Sequence, residues 1–142
     1  MVDLGTGSGI FALAAKSFEA GRVIAIDIDP VAISTARANA ALNRISGIQF
    51  RVADVRRWRI PRRIDVVTAN LFSELLIEIV PKLKRIRWLI VSGIMREQEG
   101  DVRKALHQNG FAIKKVRRRG KWIAALATRT VQGAAVSKPP NY

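Results

Sequence analysis

The sequence contains no cysteine, which excludes disulfide bonds and metal sites built on thiolates. Only 6% of its residues are aromatic, too few for a platform on which the bases of a single-stranded nucleic acid would stack. No apolar run approaches the roughly 20 residues that a membrane-spanning helix needs. No basic segment precedes an apolar one at the amino terminus. We therefore expect a cytoplasmic protein without membrane contact.

Acidic side chains are also scarce. The 142 residues include 25 lysines and arginines against 11 aspartates and glutamates, which gives a formal net charge of +14. A surface this basic attracts polyanions, so nucleic acid or a ribosomal particle is one expected partner. A solubilising surface explains the same charge equally well. The length fits one globular domain with a substantial core and is too short for two ordinary ones.

Glycine is concentrated near the amino terminus, in the stretch V-D-L-G-T-G-S-G-I at residues 2–10. The pattern predicts a buried strand, a tight glycine turn and a helix that begins near Ser8. Glycine allows positive φ and has no Cβ, so the backbone can lie against a bound molecule at the carboxyl end of its strand. The dinucleotide-binding fingerprint would need a further glycine at the position of Ile10. A plain strand-to-helix turn is the alternative without a ligand.

Apolar runs and helical patterns alternate along the rest of the chain. The strands predicted after the first are residues 23–26, 48–52, 64–69, 88–91, 111–116 and 122–127. The predicted helices are residues 10–18, 30–42, 73–83 (interrupted at Pro81) and 96–108. In the first helix Leu13, Ala14 and Phe18 share a face, and Ser73 is expected to cap the third.

This order of elements predicts an α/β fold. The expected architecture is a three-layer αβα sandwich, mostly parallel, that a final antiparallel hairpin closes around a turn at residues 118–120. Residues 1–130 are predicted to form the domain and residues 131–142 a frayed tail. The first strand, which is normally central in such a sheet, begins at Met1. We therefore expect a truncated first strand and an amino-terminally reduced form of the domain.

Polar side chains recur where the predicted parallel strands end. Asp27 lies 20 residues beyond Gly7, where a carboxylate can accept both hydroxyls of a ribose. Asp54 ends the third strand and Asn70 the fourth. Each residue alone is more often a helix cap or turn former. Together with the glycine loop, they predict a ligand site at the carboxyl edge of the sheet.

Several ordered motifs carry a family resemblance. The glycine loop and A-I-D-I-D-P (residues 25–30) resemble motifs of the class I S-adenosylmethionine-dependent methyltransferases. With A-D-V, V-T-A-N-L and V-S-G-I at residues 53–55, 67–71 and 91–94, they look like the ribosomal protein L11 methyltransferase family. The similarity extends from Val2 to about Arg129 and includes the closing K-W-I-A-A-L strand. The resemblance implies a Rossmann-like sheet and S-adenosylmethionine as cofactor.

The same resemblance implies roles for individual residues. The cofactor-binding set is Asp3, Gly5, Thr6, Gly7, Gly9, Asp27, Ile28, Asp54 and Asn70. In it the three glycines wrap the methionine part, Asp3 faces the ammonium group and Asp27 holds the ribose. Ile28 covers one face of the adenine, and Asp54 meets its amino group. Asn70 and Leu71 form the catalytic pair: the amide oxygen accepts from the substrate amine, and the leucine shapes an apolar wall.

The sequence departs from the family in two ways. The family's amino-terminal substrate-recognition domain and linker have no counterpart here, and the Pro-Gly-Gly turn common before the fifth strand is replaced by residues 84–87. The cofactor assignment therefore transfers more directly than the substrate. The expected function is N-methylation of lysine or amino groups of a ribosomal protein. The alternatives are an RNA or small-molecule N-methyltransferase and a non-catalytic basic remnant that binds ribosomal RNA.

The remaining candidates receive structural interpretations. His107, the only histidine, is expected to be solvated on an outer helix, and Trp58, Trp88 and Trp122 are expected to pack in the core or hairpin. No set of side chains has metal-ligand spacing, so no metal is expected. The basic segments are residues 56–63, 82–87 and 114–121. We expect the first and last near the cofactor end, where they offer RNA contact, and the middle one at the opposite end.

Overall fold

The computed structural model describes residues 1–130 as a seven-stranded sheet with four α-helices. The strands are β1 Val2–Leu4, β2 Val23–Asp27, β3 Ile48–Val52, β4 Val66–Asn70, β5 Trp88–Met95, β6 Phe111–Arg119 and β7 Trp122–Arg129. The α-helices are α1 Ile10–Ser17, α2 Pro30–Leu42, α3 Ser73–Ile79 and α4 Glu99–Gln108. Short 3-10 helices span Val80–Leu83 and Arg96–Gln98. The predicted frayed tail, residues 131–142, lies outside the described residues.

The strand order is β3-β2-β1-β4-β5-β7-β6. Strands β1 to β5 pair in parallel, whereas β7 is antiparallel to both β5 and β6. The predicted α/β class, with a mostly parallel sheet and a closing hairpin, is confirmed. In this order the chain reverses direction across the sheet between β1 and β4, which is where open α/β sheets form their ligand crevice.

Two apolar clusters cover the two faces of the sheet. Strand β2 shows the division: Ile24 and Ile26 belong to the larger cluster with residues of α3 and α4, whereas Val23 and Ala25 belong to a small cluster beside α1. Alternation along a strand sends successive side chains to opposite faces. Because β2 is buried on both faces, it appears in the sequence as a continuous apolar run.

The helix details correct two predictions. Phe18 follows the end of α1 and is 85% exposed, so the buried face of that helix is formed by Ala12 and Leu13. Ser73 does not cap α3, because its hydroxyl donates to Gln98 Oε1 at 2.8 Å and Phe72 occupies the N-cap position. No helix among residues 1–130 combines the length and apolar character needed to cross a membrane.

The last three strands are longer than predicted. Strand β5 continues through Ser92 and Gly93 to Met95, because a shift in its pairing with β7 between Val91 and Ile94 absorbs the glycine without ending the strand. Strand β6 reaches Arg119, so the hairpin turn lies at residues 120–121. Strand β6 lies at the edge of the sheet, where arginine side chains can remain in water while the backbone pairs with β7.

Candidate functional site

The glycine loop connects β1 to α1 and is tied to the neighbouring strand. Gly5, Gly7 and Gly9 have φ of 69°, 53° and 85°, the left-handed region that favours glycine. The Thr6 N–H donates to the Ile26 carbonyl oxygen at 2.9 Å. A Cβ on Gly9 would lie 2.9 Å from the Ala36 Cβ, so this glycine lets α1 approach α2 closely. The loop is thereby fixed over the ends of β1 and β2.

Asp3 lies beneath this loop and is 1% exposed. Its carboxylate accepts hydrogen bonds from the hydroxyls of Thr6 and Thr68, both at 2.6 Å. Burial raises the pKa of Asp3, and the two hydroxyl hydrogen bonds oppose that rise. Binding of the cofactor by Asp3 and Thr6 stays a prediction, and in this structure both side chains form hydrogen bonds within the protein. Both side chains point into the protein and join the loop to β4.

Asp27, at the end of β2, holds the outer side of the loop. Its Oδ2 accepts from the Gly7 N–H at 2.9 Å, and its Oδ1 accepts from the Asp29 N–H at 3.0 Å. Asp29 in turn caps α2 by accepting from the Val31 N–H at 2.8 Å. Each Asp27 oxygen has lone pairs beyond those used here. The carboxylate is therefore oriented in advance and still able to accept from a ligand.

A cleft of about 730 Å³ opens at the carboxyl edge of the sheet. Six residues expected at the site line it: Gly5, Asp27, Ile28, Asp54, Asn70 and Leu71. Asp3, Thr6, Gly7 and Gly9 are not part of its wall. We call the wall at β1–β3 the loop side, with Gly5, Asp27, Ile28, Asp54 and Val55. We call the wall at β4–β7 the hairpin side, with Asn70, Leu71, Phe72, Ser92, Gly93, Arg117, Arg119 and Trp122.

Asp54 completes the loop side just after β3. Its Oδ1 accepts from the Arg56 N–H at 2.8 Å, and its carbonyl oxygen accepts from Arg57 and Trp58 at 3.0 and 2.8 Å. These hydrogen bonds form a tight turn with the half-buried carboxylate at the cleft. Trp58 packs against the larger core cluster, as expected.

Asn70 and Leu71 lie between two glycines of the cleft wall, Gly5 in the glycine loop and Gly93 in β5. Leu71 packs over Gly5, where an added Cβ would lie 2.5 Å from its Cδ2. Asn70 lies against Gly93, where an added Cβ would lie 2.6 Å from its Oδ1. The Leu71 N–H also donates to the Ser92 carbonyl oxygen at 3.3 Å. Motifs that are far apart in the sequence therefore interlock around this pair.

The hairpin side contains two aromatic residues that the sequence did not predict at the site. Phe72 is 75% exposed and Trp122 is 44% exposed, and both line the cleft. Trp122, which was expected to pack in the core or hairpin, begins the hairpin strand β7 and also lines the cleft. Arg117 and Arg119 also line the cleft. Their spacing of two along a strand could have indicated a shared face.

Arg118 lies on the opposite face of β6 from these two arginines. Its guanidinium donates to both carboxylate oxygens of Glu99. The Nε donates to Oε2 at 3.1 Å, and the Nη2 donates to Oε1. Hydrogen bonding from Arg118 lowers the pKa of Glu99. No ion pair joins Arg117 or Arg119 to a carboxylate within residues 1–130. The hairpin side therefore presents two unneutralised cations to the cleft.

The basic segments divide between the two ends of the sheet. Residues 114–121 follow β6 to the cleft, as expected, and residues 82–87 precede β5 at the opposite end, also as expected. Residues 56–63 cross between the ends: Arg56 lines the cleft, while Arg62 and Arg63 approach the start of β4. His107 is exposed on α4, as predicted. Across the part of the chain that the structure describes, no group of side chains suits a metal ion.

Comparison with protein families gives one match over nearly the whole chain. The family described as "Ribosomal protein L11 methyltransferase (PrmA)" matches residues 1–130. Proteins named ribosomal protein L11 methyltransferase from Pelobacter propionicus and Caldicellulosiruptor bescii are 38% and 37% identical to this chain, over 93% and 92% of it. The chain spans 44% of the length of each relative.

Solved structures show the same similarity. A ribosomal protein L11 methylase from Lactobacillus delbrueckii subsp. bulgaricus is 33% identical, with a TM-score of 0.80 over 92% of this chain and 69% of that one. The magnesium protoporphyrin IX methyltransferase of Synechocystis, solved with bound S-adenosylmethionine, has a TM-score of 0.73 at 21% identity. The matched region covers 91% of this chain and 69% of the Synechocystis chain. At that identity the likeness extends to the fold alone.

Proposed function

The chain belongs to the ribosomal protein L11 methyltransferase family, and we propose from this premise that its cleft binds S-adenosylmethionine and methylates an amine nitrogen of a ribosomal protein. The observation that carries the proposal is the loop side of the cleft, where Gly5, Asp27 and Asp54 converge from three neighbouring strands. The cytoplasm, where ribosomes work, is the compartment that this function implies.

The donors and acceptors of the loop side fit this cofactor. S-adenosylmethionine offers two ribose hydroxyls and an adenine amino group, all hydrogen-bond donors. Asp27 and Asp54 are acceptors held in place by backbone N–H groups. Ile28, which is 65% exposed at the cleft, offers an apolar surface for a flat ring. Asp3 and Thr6 would support this site indirectly, by fixing the loop that carries Gly5.

The acceptor would bind beside Asn70. When bound, S-adenosylmethionine would supply a methyl group from its positively charged sulfur: a C–N bond to a neutral amine would form as the C–S bond breaks, and the bonding electrons would stay on the sulfur. The Asn70 Oδ1 accepts an N–H of the amine and aligns its lone pair, and Leu71 excludes water. Such alignment can supply much of the rate without an acid or base.

The substrate assignment rests on the relatives, which are named for ribosomal protein L11. This chain spans 44% of their length, so recognition of that protein is part of the proposal. RNA or small-molecule N-methylation and non-catalytic binding of ribosomal RNA are the competing functions. Contact with ribosomal RNA is a second candidate property, favoured by Arg117 and Arg119, which line the cleft without a carboxylate partner among the described residues.

Calorimetric titration with S-adenosylhomocysteine tests the shared premise, with NAD as the comparison ligand. We expect S-adenosylhomocysteine to bind and NAD to bind weakly. Radiolabelled methyl transfer into separated ribosomal protein and RNA fractions then identifies the acceptor. Strong NAD binding without an S-adenosylhomocysteine signal would refute the cofactor assignment. Tight cofactor binding with no transfer into any fraction would favour the non-catalytic function.

A further inference from the structure

Gly93 lies in the irregular part of β5, directly beside Asn70. Its φ is 79°, and the pairing of β5 with β7 shifts between Val91 and Ile94. In the parallel ladder Asn70 pairs with Ser92, so the next residue along β5 reaches the Asn70 side chain. A Cβ on Gly93 would lie 2.6 Å from Asn70 Oδ1 and 3.1 Å from the Leu71 carbonyl oxygen. Real Cβ atoms essentially never approach another heavy atom to 2.6 Å.

We infer that Gly93 is a positioning residue: because it has no side chain, it leaves the room that the Asn70 amide needs in its place on the hairpin side. The inference rests on the proposed function of Asn70 in binding the acceptor. The amide is exposed and forms no side-chain hydrogen bond within residues 1–130. Its orientation therefore depends on the space around it, and a Cβ on Gly93 would intrude on the position of Oδ1.

A second explanation for Gly93 is its backbone conformation alone. Positive φ favours glycine whatever its neighbours are. Gly110, between α4 and β6, separates the two explanations, because its φ of 81° matches while its added Cβ would meet only Thr130 Oγ1, at 3.8 Å. It also lies at the end of the sheet opposite the cleft. Gly110→Ala is therefore a control for backbone strain without side-chain contact.

Thermal unfolding of four variants tests the contact directly: Gly93→Ala, Asn70→Ala, the double variant and Gly110→Ala. If the added Cβ collides with Oδ1, removing the amide relieves part of the collision. We expect Gly93→Ala to lower the unfolding midpoint more than Gly110→Ala does. In the Asn70→Ala background, Gly93→Ala should lower the unfolding midpoint by less than it does in the wild type. Equal losses in the two backgrounds, or failure of both Gly93 variants to fold, would overturn the inference.

Kinetics give a readout that general destabilisation does not mimic. At a temperature where all variants are folded, Gly93→Ala should lower kcat for methyl transfer about 100-fold and leave S-adenosylhomocysteine affinity within about twofold. The double variant should be no slower than Asn70→Ala, because both changes disable one amide. Losses that multiply would contradict positioning. If the wild type binds S-adenosylhomocysteine but transfers no methyl group, the proposed function fails, and the unfolding comparison still decides the role of Gly93.

Discussion

On the loop side of the cleft, the polar side chains are carboxylates whose oxygens already accept backbone N–H groups. Asp27 accepts from Gly7 and Asp29, and Asp54 accepts from Arg56. On the hairpin side, the exposed groups include Phe72, Trp122 and the guanidinium groups of two arginines. The carboxylates of one wall are oriented by hydrogen bonds, whereas the other wall exposes aromatic and long cationic side chains.

The difference fits the two ligands that the proposed function requires. A small cofactor with the same donors in every turnover is best bound by acceptors oriented in advance, because little conformational entropy is then lost on binding. A macromolecular acceptor brings a larger surface of its own, against which long side chains can adjust. If this is correct, changes on the loop side should affect binding of the cofactor, and changes on the hairpin side should affect selection of the acceptor.

The largest effect is expected at Asn70, where the two walls meet. Asn70→Ala should slow methyl transfer by two or more powers of ten, about 2.7 kcal/mol in the barrier, because the amine loses its alignment. S-adenosylhomocysteine affinity should hardly change. The measurement is radiolabelled transfer at matched cofactor occupancy.

Asn43→Ala provides the control for Asn70→Ala, since Asn43 caps the end of α2 and donates only to the Asn39 carbonyl oxygen. This variant should transfer at the wild-type rate. Equal rates for Asn70→Ala and wild type would mean that the amide has no role in transfer.

Asp27→Ala tests the loop side alone. The change removes a charged acceptor, so we expect S-adenosylhomocysteine binding to weaken by about 1.5–3 kcal/mol, as measured by calorimetry. Asp29→Ala, two residues away, should lower stability by about 1 kcal/mol through loss of the α2 cap and leave binding unchanged. Equal binding losses in both variants would indicate a general effect of the loop rather than a ligand contact.

The sequence predicted the loop side better than the hairpin side for a physical reason. Gly5, Asp27 and Asp54 each follow a short apolar strand, so local patterns identify the end of the strand and the side chain it presents. The hairpin side depends on how far β5 and β6 extend. A bulge at Gly93 and a ladder through Arg119 leave no local signal that separates strand from turn. The hydrogen bond between Asp3 and Thr68 also lacks a local signal, because the two residues lie 65 positions apart in the sequence.

The buried Asp3 and its two donors, Thr6 and Thr68, fix the glycine loop to β4. We call this group the anchor, and it provides a third test. Thr68→Val removes one of the two hydroxyls that donate to the buried Asp3 carboxylate. Leaving a buried acceptor short of a donor should lower the free energy of unfolding by about 1–3 kcal/mol. Thr35→Val is the matched control, because Thr35 is exposed on α2 and donates to its own helix at Val31. Denaturant unfolding measures both, and similar small losses would contradict the anchor.

The raised pKa of Asp3 predicts how that anchor responds to pH. Because burial raises the pKa in the folded state, folded protein binds the proton more tightly than unfolded protein. The contribution of Asp3 to stability is therefore full below its ordinary pKa and is lost as pH rises through the raised value. The free energy of unfolding of Asp3→Asn minus that of wild type should rise with pH over this window. A difference that stays constant with pH would contradict the shift.

The smallest effect is expected from the arginines of the hairpin side. If Arg117 and Arg119 each contact one phosphate of RNA, replacing both by glutamine should lower the slope of log affinity against log salt by about 1.4, since each contact releases condensed counterions. Fluorescence anisotropy with a single-stranded RNA measures the slope. Lys84→Gln with Arg85→Gln removes the same charge from exposed positions at the opposite end of the sheet. If RNA follows the cleft, this control keeps the wild-type slope; if both pairs lower it equally, RNA responds to net charge alone and the hairpin side selects nothing.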